Sequence, residues 1–138
     1  MIAASGAWLL AGLFVGESPA LSAKDEVAVQ AVALNHYFAK HPPARGDALC
    51  IAVTGYKSPG KELRNQLRNW KLDREPKCHF REGRLVYSVV GPVATEDRGA
   101  EIEISQLQFG DVSMSHERVS YRLAGNPKWA VTSERPAQ

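Results

Sequence analysis

The sequence predicts an α+β fold: a helix packed on a curved antiparallel sheet, held by one disulfide. Three observations predict it. Apolar residues recur at helical spacing from about Lys24 to Lys40. Alternating apolar and polar residues fill most of the chain after Cys78. Cys50 and Cys78 are the only cysteines.

The first helix opens at Ser22, a natural N-cap, with Asp25 and Glu26 in the first turn, where the helix dipole favours acids. Val27, Ala31, Leu34 and Phe38 form its buried stripe. His41-Pro42-Pro43 ends it, because proline cannot continue a helix and restricts the residue before it. Leu49, Ile51 and Val53 alternate with Cys50, Ala52 and Thr54. This reads as a strand from about Ala48 to Tyr56, with Cys50 on the face opposite the larger apolar residues. Ser58-Pro59 then starts a second helix whose core stripe is Leu63, Leu67 and Trp70. Lys61, Arg64, Arg68 and Lys71 cluster on another of its faces.

About five strands are expected from Cys78 onward. Leu85, Tyr87 and Val89 alternate up to Gly91-Pro92, and a polar loop surrounds Glu96-Asp97-Arg98-Gly99. The next two strands each change their apolar face part-way. Ile102 and Ile104 give way to Leu107 and Phe109, and Val112 and Met114 give way to Val119, Tyr121 and Leu123. A bulge or bend near Ser105–Gln106 and near His116–Arg118 would produce both changes. Gly110-Asp111 is a two-residue hairpin signal, and pairing Phe109 with Val112 sets Glu103 opposite Arg118. Gly125-Asn126-Pro127 makes the last turn, before a strand marked by Trp129 and Val131. Residues 134–138 read as a frayed tail.

The apolar run Ala7–Val15 matches a signal-peptide core of about 7–15 residues and falls short of the roughly 20 that span a membrane. Small residues allow cleavage after Ala20 or Ala23. No Lys or Arg precedes the run, so the expectation divides between a start upstream of Met1 and an uncleaved anchor. The plainer reading is a buried N-terminal helix. With no cysteine before Cys50, a lipidated cysteine at the cleavage site is excluded. The chain thus divides into a leader (1–23), one domain (24–133) and a tail (134–138). Export places it in the periplasm or outside the cell, where two cysteines pair by default. A metal site using Cys50, Cys78 and His79 is the sharper alternative, but adjacent Cys and His side chains rarely reach one ion, and no second ligand cluster accompanies them.

The chain holds 17 Lys and Arg against 15 Asp and Glu. That mild balance gives no reason to expect a nucleic-acid partner. The basic surplus lies before Leu85, and such asymmetry steers acidic partners, although an ordinary solvated surface is the commoner origin. Membrane association is expected only if the leader is retained.

The order helix, strand, helix and then strands resembles the cystatin-like architecture, and within it the NTF2-like proteins, whose long helix lies across a coiled sheet. The segment Tyr121-Arg122-Leu123, followed by Gly125-Asn126-Pro127-Lys128-Trp129-Ala130-Val131, looks like the closing hairpin of such domains. The resemblance implies a cystatin-like or NTF2-like roll over residues 24–133. The inhibitory Gln-x-Val-x-Gly loop of cystatins is not matched, because Gln30-Ala31-Val32-Ala33-Leu34 lacks the glycine and lies on a helix. NTF2-like enzymes carry acid and histidine or tyrosine groups inside the cone. His116 and Tyr121 are the positions here that would line such a pocket.

His36, His41, His79 and His116 show no metal-ligand spacing, and the chain has no nucleophile elbow or phosphate-binding glycine loop. No cofactor or metal is therefore expected. The function expected is non-enzymatic binding of a protein or small ligand, as in inhibitor- or immunity-like proteins. The contact candidates are Lys61, Arg64, Arg68 and Lys71, with the Tyr56–Pro59 turn and the Glu96–Gly99 loop. The alternative is an NTF2-like small-molecule enzyme or sensor with His116, as general base, and Tyr121 in a pocket.

Overall fold

The computed structural model describes residues 20–43, 48–55, 57–74, 78, 84–108, 118–125 and 128–136. The leader up to Pro19, Tyr56, His79, the Gly110-Asp111 turn and His116 lie outside the described residues.

Helix α1, Ala23–Lys40, begins where Ser22 accepts a hydrogen bond from the Asp25 amide through its hydroxyl. It buries Val29, Ala31, Ala33, Leu34, Tyr37 and Phe38. The predicted stripe is thus widened, and Val27 is only partly buried. Strand β1 is short, Cys50–Ala52, with an isolated bridge on each side at Leu49 and Val53. Helix α2, Lys61–Gln66, is capped by Gly60 rather than Ser58. Four strands follow among the described residues: β2, Leu85–Ala94; β3, Gly99–Gln108; β4, Arg118–Gly125; and β5, Trp129–Pro136.

The strands form one open sheet in the order β1-β2-β3-β4-β5. Its longer strands pair antiparallel, as predicted, but β1 runs parallel to β2, so the sheet is mixed. A parallel neighbour needs a crossover, and the segment carrying α2 provides it. Strand β2 does not stop at Gly91-Pro92. It continues to Ala94 through a register shift between Val90 and Val93. Glu134–Pro136, predicted as tail, pair with Val119–Tyr121 and complete β5.

Helix α1 covers one face of this sheet. Leu34, Tyr37 and Phe38 pack with Tyr87, Val89, Ile102, Ile104, Tyr121 and Leu123 in a single core. Burying a large side chain of this kind contributes roughly 1.5–3 kcal/mol. The closing hairpin belongs to the same face. A Cβ on Gly125 would meet the Trp129 ring at 2.6 Å, so glycine is what lets that ring lie against the backbone, where its Nε1 donates to Asp25 at 3.2 Å.

The disulfide Cys50–Cys78 lies on the other face, in a small cluster with Ala52, Val86 and Leu107. This explains the change of apolar face along β3. Ile102 and Ile104 face α1, whereas Leu107 lies under the disulfide. No bulge is involved, since β2 and β3 pair without a shift from Leu85–Gln108 to Val90–Glu103. The β3–β4 register also differs from the prediction. Ser120, not Arg118, stands opposite Glu103, and Arg118 reaches Glu103 diagonally at 3.8 Å.

The disulfide joins residues 28 apart. The chain-entropy relation gives about 3–4 kcal/mol for a loop of that size. The double substitution Cys50→Ser, Cys78→Ser is expected to lower unfolding free energy by about that amount in urea denaturation. A loss below about 1 kcal/mol would mean that the cluster around Val86 and Leu107 holds β1 in place unaided.

Candidate functional site

Helix α2 is seated by Leu63 and Leu67, both buried, with Trp70 partly buried. Lys61, Arg68 and Lys71 are exposed. Arg64 does not join them. Its Nε donates to the Pro59 carbonyl at 3.1 Å and its guanidinium donates to the Asp73 carbonyl at 3.3 Å. Asp73 in turn binds Arg84 at 2.8 Å, in a pair that is mostly shielded. Arg64, Asp73 and Arg84 therefore tie the crossover to the start of β2. The helix ends at Gln66, so of the predicted basic face only Lys61 is an exposed cation on α2, while Arg68 and Lys71 follow it in the chain.

Tyr121 lies on the covered face of the sheet and is fully buried. The ring of His36, from α1, meets it edge-on with centroids 5.2 Å apart. Opposite it on β5, Glu134 accepts a hydrogen bond from Lys40 at 2.8 Å and lies 3.4 Å from His36 Nε2. Nearby, Gln106 donates to the Tyr37 hydroxyl at 2.7 Å, and Tyr37 stacks on His41. The Tyr121 hydroxyl has no hydrogen-bond partner among the described residues. Burial pushes its pKa well above the usual phenol range, with Glu134 and Tyr37 adding to the effect. Tyr121 is thus a neutral phenol at any physiological pH. A ligand would have to displace core side chains to touch it.

His36 and Glu134 complete this cluster, and sequence reasoning missed both. His36 was read only as lacking metal-ligand spacing, and Glu134 fell in the presumed tail. The available signal was the spacing of His36 and Lys40, which places two potential cations on one helical face.

The sheet's second face is different. Outside the disulfide cluster, no described element covers it. The register sets Val90, Glu103, Ser120 and Arg135 in one row across β2–β5, and Val93, Glu101, Arg122 and Ser133 in the next. Val90 and Val93 are 52% and 66% exposed, high for large apolar side chains. Arg122 lies 3.7 Å from Asp97 and 4.0 Å from Glu101. Asp97 sits in the β2–β3 turn, where the Thr95 hydroxyl donates to its carboxylate and, with Arg122, holds its pKa below the usual carboxylate range. The same hydroxyl accepts from the Gly99 amide at 3.0 Å. A Cβ at Gly99 would stand 2.6 Å from the Leu123 carbonyl, so the turn requires glycine there. The polar loop predicted from Glu96–Gly99 is thus a fixed turn bordering the open face.

Among the described residues, no group of three His, Cys, Asp or Glu side chains forms a metal site, and no helix is long and apolar enough to cross a membrane. The disulfide is consistent with a non-cytoplasmic location. No protein-family model, curated protein or solved structure matches the chain.

The Lys40 hydrogen bond, followed by the charges of Lys40 and His36, holds the Glu134 carboxyl below its ordinary range. A depressed carboxyl stabilises the fold above its unfolded pKa, about 4.3, and loses that effect as pH falls through the lower folded value. Glu134→Gln is therefore expected to cost about 0.5 kcal/mol at pH 7. The difference from the parent chain should shrink below about pH 4. Urea denaturation at both pH values checks this, and an unchanged difference at low pH would contradict it.

Proposed function

We propose that the chain is a small extracytoplasmic binding protein without catalytic activity, which docks a protein partner on the open face of its sheet. The observation that carries this reading is the division of the sheet. One face is filled by α1, whereas the other combines exposed Val90 and Val93 with a lattice of Arg, Glu and Ser. Apolar side chains framed by ordered polar groups are the usual composition of a protein contact. The apolar leader and the disulfide support export to the periplasm or the extracellular space. A rigid, stapled sheet also lowers the ordering cost of association. Inhibitor- or immunity-like proteins are the functional class that fits such a surface.

Lys61, Arg68 and Lys71 belong to the crossover that carries α2, not to the strands of this face, and are exposed. Their role is to steer an acidic partner rather than to form its central contacts.

The second reading, a small-molecule enzyme or sensor, rests on the unpartnered Tyr121 hydroxyl beside His36. It fits less well, because Tyr121 is sealed in the core.

The test is affinity capture from the extracytoplasmic fraction of the source organism, using the full oxidised chain. A near-stoichiometric protein partner is expected. The pair Val93→Asp, Ser120→Trp should weaken capture at least about tenfold. Removing Lys61, Arg68 and Lys71 together should mainly slow association and reduce its salt dependence. Undiminished capture by the Val93 and Ser120 variant would overturn the reading.

A further inference from the structure

The open face carries a recess of about 70 Å³, lined by Glu101, Ser120, Arg122, Ser133 and Arg135. Its charges are not evenly satisfied. Arg122 is flanked by Asp97 and Glu101, and Arg118 by Glu103. Arg135 has no acid partner among the described residues and is exposed. In the strand register it stands beside Ser120, with Ser133 two positions back on the same face of β5. A guanidinium fork between two hydroxyls is a donor set for a planar oxyanion.

We propose that this recess binds one carboxylate, with Arg135 as its principal ligand and the Ser120 and Ser133 hydroxyls as further donors. This inference rests on the reading of the open face as a docking surface, and it specifies the partner's chemistry there. The pairing favours a monoanion. Arg122 is already held by Asp97 and Glu101, and Arg135 is the one lining cation without an acid partner among the described residues. A phosphate dianion would meet one uncompensated cation and the nearby Glu101 carboxylate, whereas a carboxylate matches both the charge and the fork. The carboxylate belongs to an Asp or Glu side chain of the protein partner. Arg122, held between its two acids, fixes the recess wall rather than supplying its charge.

The test is an NMR titration of the oxidised full chain at constant ionic strength. The probes are sodium acetate, a capped tetrapeptide containing one glutamate, and inorganic phosphate. Saturable shifts are expected at the Arg135 Nε–H and at the Ser120 and Ser133 amides, with millimolar midpoints. Arg135→Gln should weaken binding at least about tenfold, Arg135→Lys should retain part of it, and Arg118→Gln should leave it unchanged. Tighter binding of the peptide than of acetate supports a protein carboxylate, and equal binding overturns that source in favour of a free acid. Phosphate binding tighter than acetate, or shifts that never saturate and spread over all arginines, would overturn the proposal. An unchanged circular dichroism spectrum shows that the Arg135 variants are folded. If the titration fails while the Val93 and Ser120 variant still loses its partner, this inference alone falls. If both fail, the docking surface falls with it.

Discussion

The structure depends on one contact, that of the Leu34–Phe38 turn of α1 with the inner rows of β2, β3 and β4. Phe38 meets Tyr87 edge-on at 5.0 Å and Trp70 at 5.2 Å, and Tyr37 meets Tyr87 at 6.0 Å. Aromatic pairs in such arrangements add about 0.5–1.5 kcal/mol each beyond the area they bury. An open sheet of this size has no other large apolar cover among the described residues. The helix fixes which face is the core, and every later assignment follows from that choice. Tyr121 and Glu134 point toward the helix because Ile102 and Leu123 do. Arg122 and Arg135 point away for the same reason of alternation.

The disulfide solves a separate problem. Strand β1 is three residues long and, among the described residues, pairs only with β2, so its own hydrogen bonds hold it weakly. Cys50 faces away from the helix, and its bond to Cys78 covers Val86 and Leu107 with a patch of the crossover. Arg64, Asp73 and Arg84 secure the same crossover by polar contacts. One end of the second face is therefore closed by covalent and ionic links, and among the described residues no element covers the remainder. That division links the stabilising chemistry of the fold to its proposed use.

Much of the fold was legible in the sequence. The helical spacing of Leu34 and Phe38, the capping by Ser22 and the orientation of Cys50 opposite Leu49 and Ile51 all follow from short-range geometry. The errors arose where a long-range contact places the residue. Leu107 read as a bulge because its cover, a disulfide formed with a distant residue, leaves no local periodic signal. Glu134 read as tail because β5 owes its length to pairing with Val119–Tyr121, which single-strand patterning does not encode. Arg64 read as part of a charged surface because nothing local reveals the Pro59 and Asp73 carbonyls that it binds.

The candidate site was less legible for a related reason. Tyr121 was expected to line a pocket and is instead packed in the core, beside His36 and Glu134, which come from opposite ends of the chain. The open face has no motif at all. It exists because four strands align their polar rows, and sequence alternation does not say which rows become adjacent. Hydroxyl-radical footprinting of the free oxidised chain tests the central division most directly. The account predicts rapid labelling of Val90 and Val93 with Tyr37, Phe38 and Tyr121 protected. Protection of both valines, or labelling of Tyr121 at their rate, would contradict it.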